Sequence, residues 1–159
     1  MRIGLMSDTH DNLPMIRKAL ARFADAGVDY IIHAGDFVAP FALAEILKFH
    51  GTVYGVFGNN DGERAGLRKL LADLSEEPRR INLCERNITV VHDEGRLKKS
   101  DLRESDVLVV GHTHDAEIRA GRPLVVNPGE CGGWLSGRST VAILDSETLE
   151  AKILKVGKT

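Results

Sequence analysis

The chain has 159 residues, of which 43% are apolar and 28% charged, and its formal net charge at pH 7 is −2. That balance is ordinary for one globular domain over residues 1–159 and gives no sign of a polyanion-binding surface, so nucleic acid is not expected as a stable partner. No apolar stretch approaches a bilayer span, and the N-terminal apolar run stops at Ser7-Asp8, unlike a signal peptide. We therefore expect no membrane association and, by default, a cytoplasmic location.

The first half of the chain alternates short apolar runs with segments of helical periodicity. Residues 2–6, 30–34 and 52–57 are predicted as buried strands. A first helix is predicted from an N-cap at Asn12 to Gly27, a second from Pro40 to Gly51, and a third over residues 64–74. Three strand–helix units in succession predict parallel strands joined by right-handed crossovers.

The second half of the chain is richer in predicted strands. Short apolar runs occupy residues 87–91, 107–110 and 124–126, and residues 139–144 and 149–154 are predicted as a terminal hairpin. These strands are expected to form a mixed second sheet packed on the first. The predicted fold class is α/β, with one domain and two sheets.

Five of the predicted strands are followed at once by acidic, amide or histidine side chains. These groups are Asp8-Thr9-His10, Gly35-Asp36, Gly58-Asn59-Asn60-Asp61, His92-Asp93-Glu94 and Gly111-His112-Thr113-His114. In open α/β sheets, ligands bind at the carboxyl ends of the strands. If the five ends converge, their side chains form one polar rim above an apolar sheet.

Each group alone also has an ordinary structural interpretation. Asp8 can be a turn residue followed by a surface histidine, and Gly35-Asp36 and residues 58–61 are common turn and loop chemistry. His92 can be a hydrogen-bonded histidine at the edge of the core. The pair His112 and His114, two residues apart behind a glycine, is the best single indication of metal chelation. All five groups together are much harder to explain without a metal.

The mixture of ligand types indicates the class of metal. Carboxylate, imidazole and amide groups without thiolate suit manganese, iron, zinc or nickel, and the histidines argue against an all-oxygen magnesium or calcium site. The two cysteines are far apart and are expected to be ordinary reduced thiols. Seven ligands taken from the five groups are too many for one tetrahedral ion. They suit two ions roughly 3.5–4 Å apart, an arrangement that clamps a phosphoryl group.

The motifs resemble those of the calcineurin-like metallophosphoesterase superfamily, whose pattern is DxH, GDxx, GNxx, a histidine after a strand, and GHxH. The blocks run from Asp8 to His114 in the family's order, and Asn127-Pro128-Gly129 is similar to a block that follows GHTH in small members. The resemblance implies a four-layer α/β/β/α sandwich of two mixed β-sheets flanked by helices. It places the chain in the small single-domain bacterial and archaeal phosphodiesterase subgroup.

The resemblance also implies a set of site residues and two divalent metal ions, with manganese first and nickel, iron or zinc as alternatives. One ion would be held by Asp8, His10, Asp36 and His114. The other would be held by Asp36, Asn59, His92 and His112, with Asp36 bridging the two. Catalytic roles fall on Asp36, Asn60 and His10, and substrate contacts fall on Asn60 and Asp11.

Two positions depart from the family's pattern. Asn60 stands where many members have a histidine taken to protonate the leaving group, and an amide cannot be a general acid at neutral pH. After His92, Asp93 and Glu94 replace a glycine and a second histidine. Their added negative charge is expected to disfavour highly anionic substrates.

The implied function is hydrolysis of phosphodiester bonds in a small phosphate-ester substrate, by attack of a hydroxide that bridges the two metal ions. Two alternatives stay open: a non-catalytic protein-binding scaffold with this fold, as in the retromer scaffold subunit, and a phosphomonoesterase or nucleotidase. A homo-oligomer is possible on the sequence alone.

Overall fold

The computed structural model describes residues 1–157 and contains two five-stranded sheets with helices on their outer faces. The elements in chain order are β1 (Arg2–Met6), α1 (Leu13–Asp25), β2 (Tyr30–His33), α2 (Pro40–Ile46), β3 (Thr52–Gly55), α3 (Arg64–Leu70), β4 (Arg79–Leu83), β5 (Arg86–Val90), a 3-10 turn (Glu94–Arg96), α4 (Lys99–Glu104), β6 (Val107–Val109), β7 (Glu117–Arg119), β8 (Leu124–Asn127), β9 (Ser139–Asp145) and β10 (Ala151–Gly157).

The first sheet has the strand order β10-β9-β1-β2-β3. Strands β1, β2 and β3 are parallel, which confirms the predicted crossovers. The terminal hairpin was expected in the second sheet, but β9 pairs antiparallel with β1 and so extends the first. The reason is that β9 is apolar on both faces: Val141 packs on the helix side, and Ala142 and Leu144 pack between the sheets. Such a strand requires an interior position in a sheet covered on both faces.

The second sheet has the strand order β4-β5-β6-β8-β7, with β5, β6 and β8 parallel at its centre. The three central strands are those predicted from the sequence. The two antiparallel edge strands and α4 were missed. In β7 all three residues are exposed, and in β4 only Ile81 and Leu83 are buried, so neither edge strand contains a continuous apolar run.

Three apolar layers hold the sandwich together and confirm the four-layer prediction. Helices α1, α2 and α3 pack on the outer face of the first sheet, around the fully buried Phe23 and Phe37. The two sheets face each other across a second layer that includes Leu5, Ile32 and Val109. A small third cluster lies on the second sheet, with Leu97 packed against it. No helix within residues 1–157 has the length and apolar character needed to cross a membrane.

Helix boundaries were predicted well at the start of the chain and less well later. Asn12 caps α1 by accepting the Met15 N–H, and Gly27 closes it with φ +64°. The predicted ends of α2 at Gly51 and of α3 at residue 74 are both too late. The chain leaves α3 at Leu71 because residues after it run beside β3, where Ser75 accepts the Phe57 N–H. A tertiary pairing thus overrides the helical periodicity.

Candidate metal centre

The carboxyl ends of β1, β2, β3, β5 and β6 converge at one edge of the molecule and bring the predicted side chains together. Ligand atoms of Asp8, His10 and His114 lie within 4.8 Å of one another, and so do those of Asp8, Asp36 and His92. Asp8, Asp36 and His92 are buried, while His10 and His114 are partly exposed. The two groups share Asp8 and form one continuous cluster.

The first group surrounds the carboxylate of Asp8. Its Oδ1 lies 3.4 Å from His114 Nε2 and 3.7 Å from His10 Nε2. His10 Nε2 also lies 3.5 Å from Asp36 Oδ2, so this imidazole faces both carboxylates. Asp8 Oδ2 accepts hydrogen bonds from the Ser7 hydroxyl at 2.5 Å and the His112 N–H at 3.2 Å. One oxygen of Asp8 is therefore held by the protein, and the other faces the two histidines.

The second group surrounds His92. Its Nε2 lies 2.9 Å from Asn59 Oδ1 and 3.4 Å from Asp36 Oδ2. The ring of His112 stands edge-on to the His92 ring, with 5.1 Å between the ring centres. The structure therefore brings all seven predicted ligand residues to one edge, and His112 is placed there by its ring contact and its N–H bond to Asp8.

Several polar atoms at this edge have no hydrogen-bond partner although they are buried. Among the described residues, buried side-chain atoms without a partner number four, and three of them are Asp8 Oδ1, His10 Nε2 and His114 Nδ1. An unsatisfied buried polar atom is costly, on the order of 1–3 kcal/mol. A cation between Asp8 and the histidines satisfies the ligand atoms of the first two. The donor set thus fits a divalent metal ion.

The tautomer of His92 gives an independent reason for a cation. Its Nδ1 lies 2.8 Å from the carbonyl oxygen of Ala34, which only accepts, so Nδ1 carries the proton. In a neutral ring, Nε2 then has a lone pair aimed at two oxygens, those of Asn59 and Asp36. A metal ion between the three atoms turns this repulsive arrangement into coordination.

The ionisation of the cluster follows from burial and close charges. Burial acts to raise the pKa of Asp8, but interactions with His10, Ser7 and the nearby His92 and His114 lower it below its usual value. The interaction of His10 with Asp8 raises the pKa of the His10 imidazole above its usual value. Both shifts have the sign expected for a carboxylate and an imidazole that face each other.

His33 lies beneath the cluster and has a structural role, as its place inside a strand predicted. Burial lowers its pKa to about 3, so the ring is neutral at physiological pH. Its Nε2 lies 3.1 Å from the Thr9 hydroxyl, and its ring stacks on Phe37 at 3.7 Å between centres. His33 therefore connects the loop after β1 to the loop after β2.

The loops that present the ligands have unusual backbone conformations. Left-handed φ angles between 40° and 70° occur at five of the predicted ligands and at one neighbour: Asp8, His10, Asp36, His112 and His114, with Asp11 beside them. Non-glycine residues in this region cost on the order of 1–3 kcal/mol each and persist where the surroundings fix them. Here the Asp8 N–H donates to Gly35 O and the His10 N–H donates to Asp36 O. The strain is therefore concentrated at the candidate site.

Two motif glycines are required by close approach. A Cβ at Gly58 would lie 2.1 Å from Asp36 Oδ1, and a Cβ at Gly111 would lie 2.1 Å from Ser7 Oγ. Both distances are far below any real contact; Asp36 belongs to the cluster, and Ser7 donates to Asp8. The glycines of the third and fifth motifs thus let neighbouring strand ends approach within reach of the same ligands.

Sequence reasoning missed the carboxylate that organises the loop of Asp36. Asp61 is buried, and its oxygens accept the N–H groups of Asp36 at 3.0 Å, Val38 at 2.7 Å and Gly58 at 2.8 Å. Such an arrangement fixes the turn in which Asp36 and Asn59 stand. In the sequence, Asp61 stood out only as the last residue of the loop-like group at residues 58–61. A second missed residue is Glu130, which lies 3.3 Å from His114 Nδ1 and is fully buried.

The two predicted substrate contacts have protein partners in the structure. Asn60 donates both its backbone N–H and its side-chain amide to Asp36, at 2.9 and 2.7 Å. It also lines the open pocket at the cluster. Asp11 instead accepts the N–H of Ala39 at the start of α2 and does not line that pocket. Asn60 is thus placed beside the candidate substrate space, and Asp11 is engaged in holding the loop before α2.

The expected effect of Asp93 and Glu94 on substrate charge is not supported by their positions. Asp93 caps the following turn by accepting the Gly95 N–H, and Glu94 is paired with Arg119 at 2.6 Å. Neither residue lines the pocket, which is bordered by Asp36, Asn59, Asn60, His112, Thr113, His114, Asp115, Leu135 and Ser136. Asp115 is the additional acidic residue at this edge.

The α/β/β/α sandwich, with carboxylates and imidazoles gathered at the ends of its strands, defines the class of protein as metallophosphoesterase-like. Residues 1–149 match the Calcineurin-like phosphoesterase superfamily domain, and the chain belongs to that superfamily. The chain is 42% identical to the phosphodiesterase MJ0936 of Methanocaldococcus jannaschii, over 94% of this chain and 96% of the relative. It is 28% identical to the phosphodiesterase YfcE of Escherichia coli, over 94% and 90% of the two chains.

Solved structures agree with this assignment. An archaeal phosphodiesterase superposes with a TM-score of 0.86 at 36% identity, covering 98% of this chain and 99% of that one. A Vps29 structure from Entamoeba histolytica superposes with a TM-score of 0.70 at 15% identity, covering 98% and 99%. The second likeness shows the shared fold alone.

Proposed function

We propose that the protein is a phosphodiesterase that depends on two divalent metal ions bound at the convergent strand ends. The observation that carries the proposal is the buried cluster in which Asp8 Oδ1 and His10 Nε2 lack any partner while facing further ligand atoms. When bound, two such ions neutralise phosphoryl oxygens and lower the pKa of the attacking water. The similar chains named as phosphodiesterases support the same reaction class.

The proposed ligands are the seven predicted from the sequence. Asp8, His10, Asp36 and His114 are assigned to one ion, and Asp36, Asn59, His92 and His112 to the other. The contacts of Asp36 support its bridging role, because its Oδ2 lies between His10 Nε2 at 3.5 Å and His92 Nε2 at 3.4 Å. Manganese stays the first choice among the metals, with nickel, iron and zinc as alternatives.

The residues at the pocket position the carboxylates but supply no dedicated acid for the leaving group. Asn60 holds both oxygens of Asp36 through its amide and N–H groups and stands where a phosphoryl oxygen can accept from it. No further histidine or cysteine joins His112 and His114 in the described lining of the pocket. The leaving group therefore departs without a dedicated acid, and esters with acidic leaving groups are cleaved best.

The charge of the pocket favours a diester over a monoester. Its described lining includes Asp36 and Asp115 but no lysine or arginine. A diester brings one negative charge to these carboxylates, whereas a monoester brings up to two. Leu135, which is 81% exposed, stands at the same edge and offers an apolar surface to the ester group. Both features support a small diester with an apolar ester group as substrate.

A non-catalytic scaffold is less consistent with the site. Every expected ligand position is occupied by a residue that binds metals, and the strained loops after β1, β2 and β6 hold them close. A phosphomonoesterase or nucleotidase is disfavoured because the described lining of the pocket contains neither lysine nor arginine. A cytoplasmic location and a homo-oligomeric state stay predictions of the sequence.

Turnover of a matched pair of aryl substrates tests the proposal. Metal-free protein is assayed with bis(p-nitrophenyl) phosphate and p-nitrophenyl phosphate, with and without added Mn²⁺. We expect Mn²⁺-dependent turnover and a higher kcat/KM for the diester. His112→Ala should lower the activity by more than about 100-fold, beyond the usual effect of losing an outer partner of a ligand.

The exposed His50, between α2 and β3, provides the matched control, because His50→Ala removes an imidazole that does not border the pocket. Turnover that does not require metal, or that survives in His112→Ala as it does in His50→Ala, would contradict the proposal.

A further inference from the structure

Glu130 is the one fully buried glutamate of the described chain, and its only ion-pair partner there is His114. It follows the Asn127-Pro128-Gly129 block and lies outside the seven proposed ligands. Its Oε2 accepts the Ser136 N–H at 2.8 Å and the Ser136 hydroxyl at 2.7 Å. The Leu135 N–H donates to both oxygens, at 3.0 and 3.2 Å. These donors fix the carboxylate in one orientation.

The oxygen that remains available faces the candidate metal centre. Oε1 accepts the Leu135 N–H at 3.0 Å and lies 3.3 Å from His114 Nδ1. That nitrogen is buried and has no hydrogen-bond partner among residues 1–157, and the Glu130 carboxylate is its ion-pair partner. On the opposite side of the same ring, His114 Nε2 points at Asp8 Oδ1. The ring therefore stands between an outer carboxylate and the proposed metal position.

His92 shows the same arrangement with a weaker acceptor. Its Nδ1 proton is directed at the neutral carbonyl of Ala34, and its Nε2 faces the ligand oxygens. A carboxylate in that outer position holds the proton on Nδ1 more strongly and makes Nε2 a better ligand. The two imidazoles thus differ in the charge of the group behind them.

We infer that Glu130 is a positioning residue that holds His114 with its Nδ1 protonated and its Nε2 directed at the metal ion proposed for Asp8, His10 and His114. The inference rests on the metal role proposed above for His114. It assigns Glu130 a second role besides holding residues 135 and 136. Because the carboxylate lies behind the ring, its effect is on metal affinity before it is on catalysis.

Metal titration of the metal-free protein tests this assignment. Mn²⁺ binding to the wild type, Glu130→Gln and Glu45→Gln is followed by calorimetry. Glutamine keeps an oxygen for the N–H donors of the loop but removes the charge. We expect Glu130→Gln to weaken Mn²⁺ binding by roughly 10–100-fold, as outer partners of metal-bound histidines do. Glu45→Gln removes a mostly buried negative charge on α2 and should leave the affinity unchanged.

The outcomes separate this inference from the proposed function. A wild type that binds no Mn²⁺ overturns the metal centre itself. A wild type that binds Mn²⁺ while Glu130→Gln binds it equally well, or while Glu45→Gln is weakened as much, overturns only the role of Glu130. If Glu130→Gln only disorders the loop at residues 135 and 136 and does not affect His114, KM changes and the metal affinity stays that of the wild type.

A second measurement decides the question even if Glu130→Gln does not fold. Nitrogen-15 spectra of the histidine rings in the Zn²⁺-loaded wild type report which nitrogen carries the proton. We expect His114 to carry it on Nδ1 and to coordinate through Nε2. Coordination through Nδ1 would contradict the inference.

Discussion

Strands β1 and β2 connect two regions of different character: the apolar layer between the two sheets and the polar cluster at the carboxyl ends of the strands. Between the sheets, Ile3, Leu5 and Ile32 are completely buried among other apolar side chains. At the carboxyl ends of the same strands, Asp8 and Asp36 are as deeply buried but face imidazoles and other oxygens. The apolar region stabilises the fold by removing surface from water. The polar region concentrates strain, charge and unpaired atoms, which is the state that a bound cation relieves.

The largest expected effect comes from Asp36→Asn, which changes the polar region alone. An amide offers one neutral oxygen where the carboxylate offers two charged ones, so bridging is lost. We expect diesterase activity to fall by more than about 100-fold. In the wild type, Mn²⁺ at about 100 times its dissociation constant should add about 2.7 kcal/mol to the free energy of unfolding. Thermal unfolding with and without Mn²⁺ measures this gain, which Asp36→Asn should largely lose.

If Asp36→Asn retained both the turnover and the Mn²⁺-dependent rise in melting temperature, the bridging assignment would be wrong. Circular dichroism of the metal-free variant serves as the check that its fold is intact.

The complementary substitution, Leu144→Ala, changes the apolar region alone. Leu144 is fully buried between the sheets and pairs with Ile3, at the end of β1 that lies away from Asp8. Truncating a buried leucine to alanine costs about 2–5 kcal/mol, so urea unfolding should show a loss in that range. Leu102→Ala on α4, where the side chain is 40% exposed, is the matched control and should cost about 0.5 kcal/mol or less.

Metal affinity and kcat should be unchanged in Leu144→Ala at temperatures where it stays folded. A parallel loss of Mn²⁺ affinity would show that the two regions are coupled, and the comparison would have to be abandoned.

The same contrast explains how much the sequence could predict. The central strands and the five groups of candidate ligands were identified because each apolar run is followed directly by metal-binding residue types. The choice of seven ligands among them came from the family resemblance. The register of β1 against β2, which brings Asp8 near Asp36, follows from parallel pairing. The edge strands β4 and β7 were missed because edge positions need little apolar surface. The end of α3 was misplaced because the pairing of Ser75 with Val56 is a tertiary contact.

Outer partners of the ligands were beyond the reach of sequence patterns. Asp61 and Glu130 are ordinary acidic residues in loops, and nothing local distinguishes them from solvated ones. Their roles depend on which N–H groups and rings the folded loops place around them. Asp11 has a partner that its sequence position did not indicate: its Oδ1 accepts the Ala39 N–H, and its predicted substrate contact stays a prediction.

Two buried glutamates, Glu130 and Glu45, differ in the charges around them. Within residues 1–157, Glu130 has no lysine or arginine at ion-pair distance and is paired only with His114, whereas Glu45 accepts from Arg17 at 2.9 Å and from Lys48 at 2.8 Å. Hydrogen bonds from Arg17 and Lys48 lower the pKa of Glu45 from 4.5 to about 2. A carboxylate whose pKa falls on folding stabilises the native state above its unfolded pKa, and that contribution is lost as the pH falls through the folded value.

The stability difference between wild type and Glu45→Gln should therefore be largest above pH 4.5 and should shrink as the pH falls to about 2. Urea midpoints of both proteins across this range measure it. The effect should be small because the side chains of Arg17 and Lys48 are 58% and 66% exposed, so solvent screens the pairs. Salt at about 1 M should reduce the difference at pH 6. A difference that is independent of both pH and salt would mean that Glu45 contributes by packing, and the contrast with Glu130 would then rest on burial and not on charge.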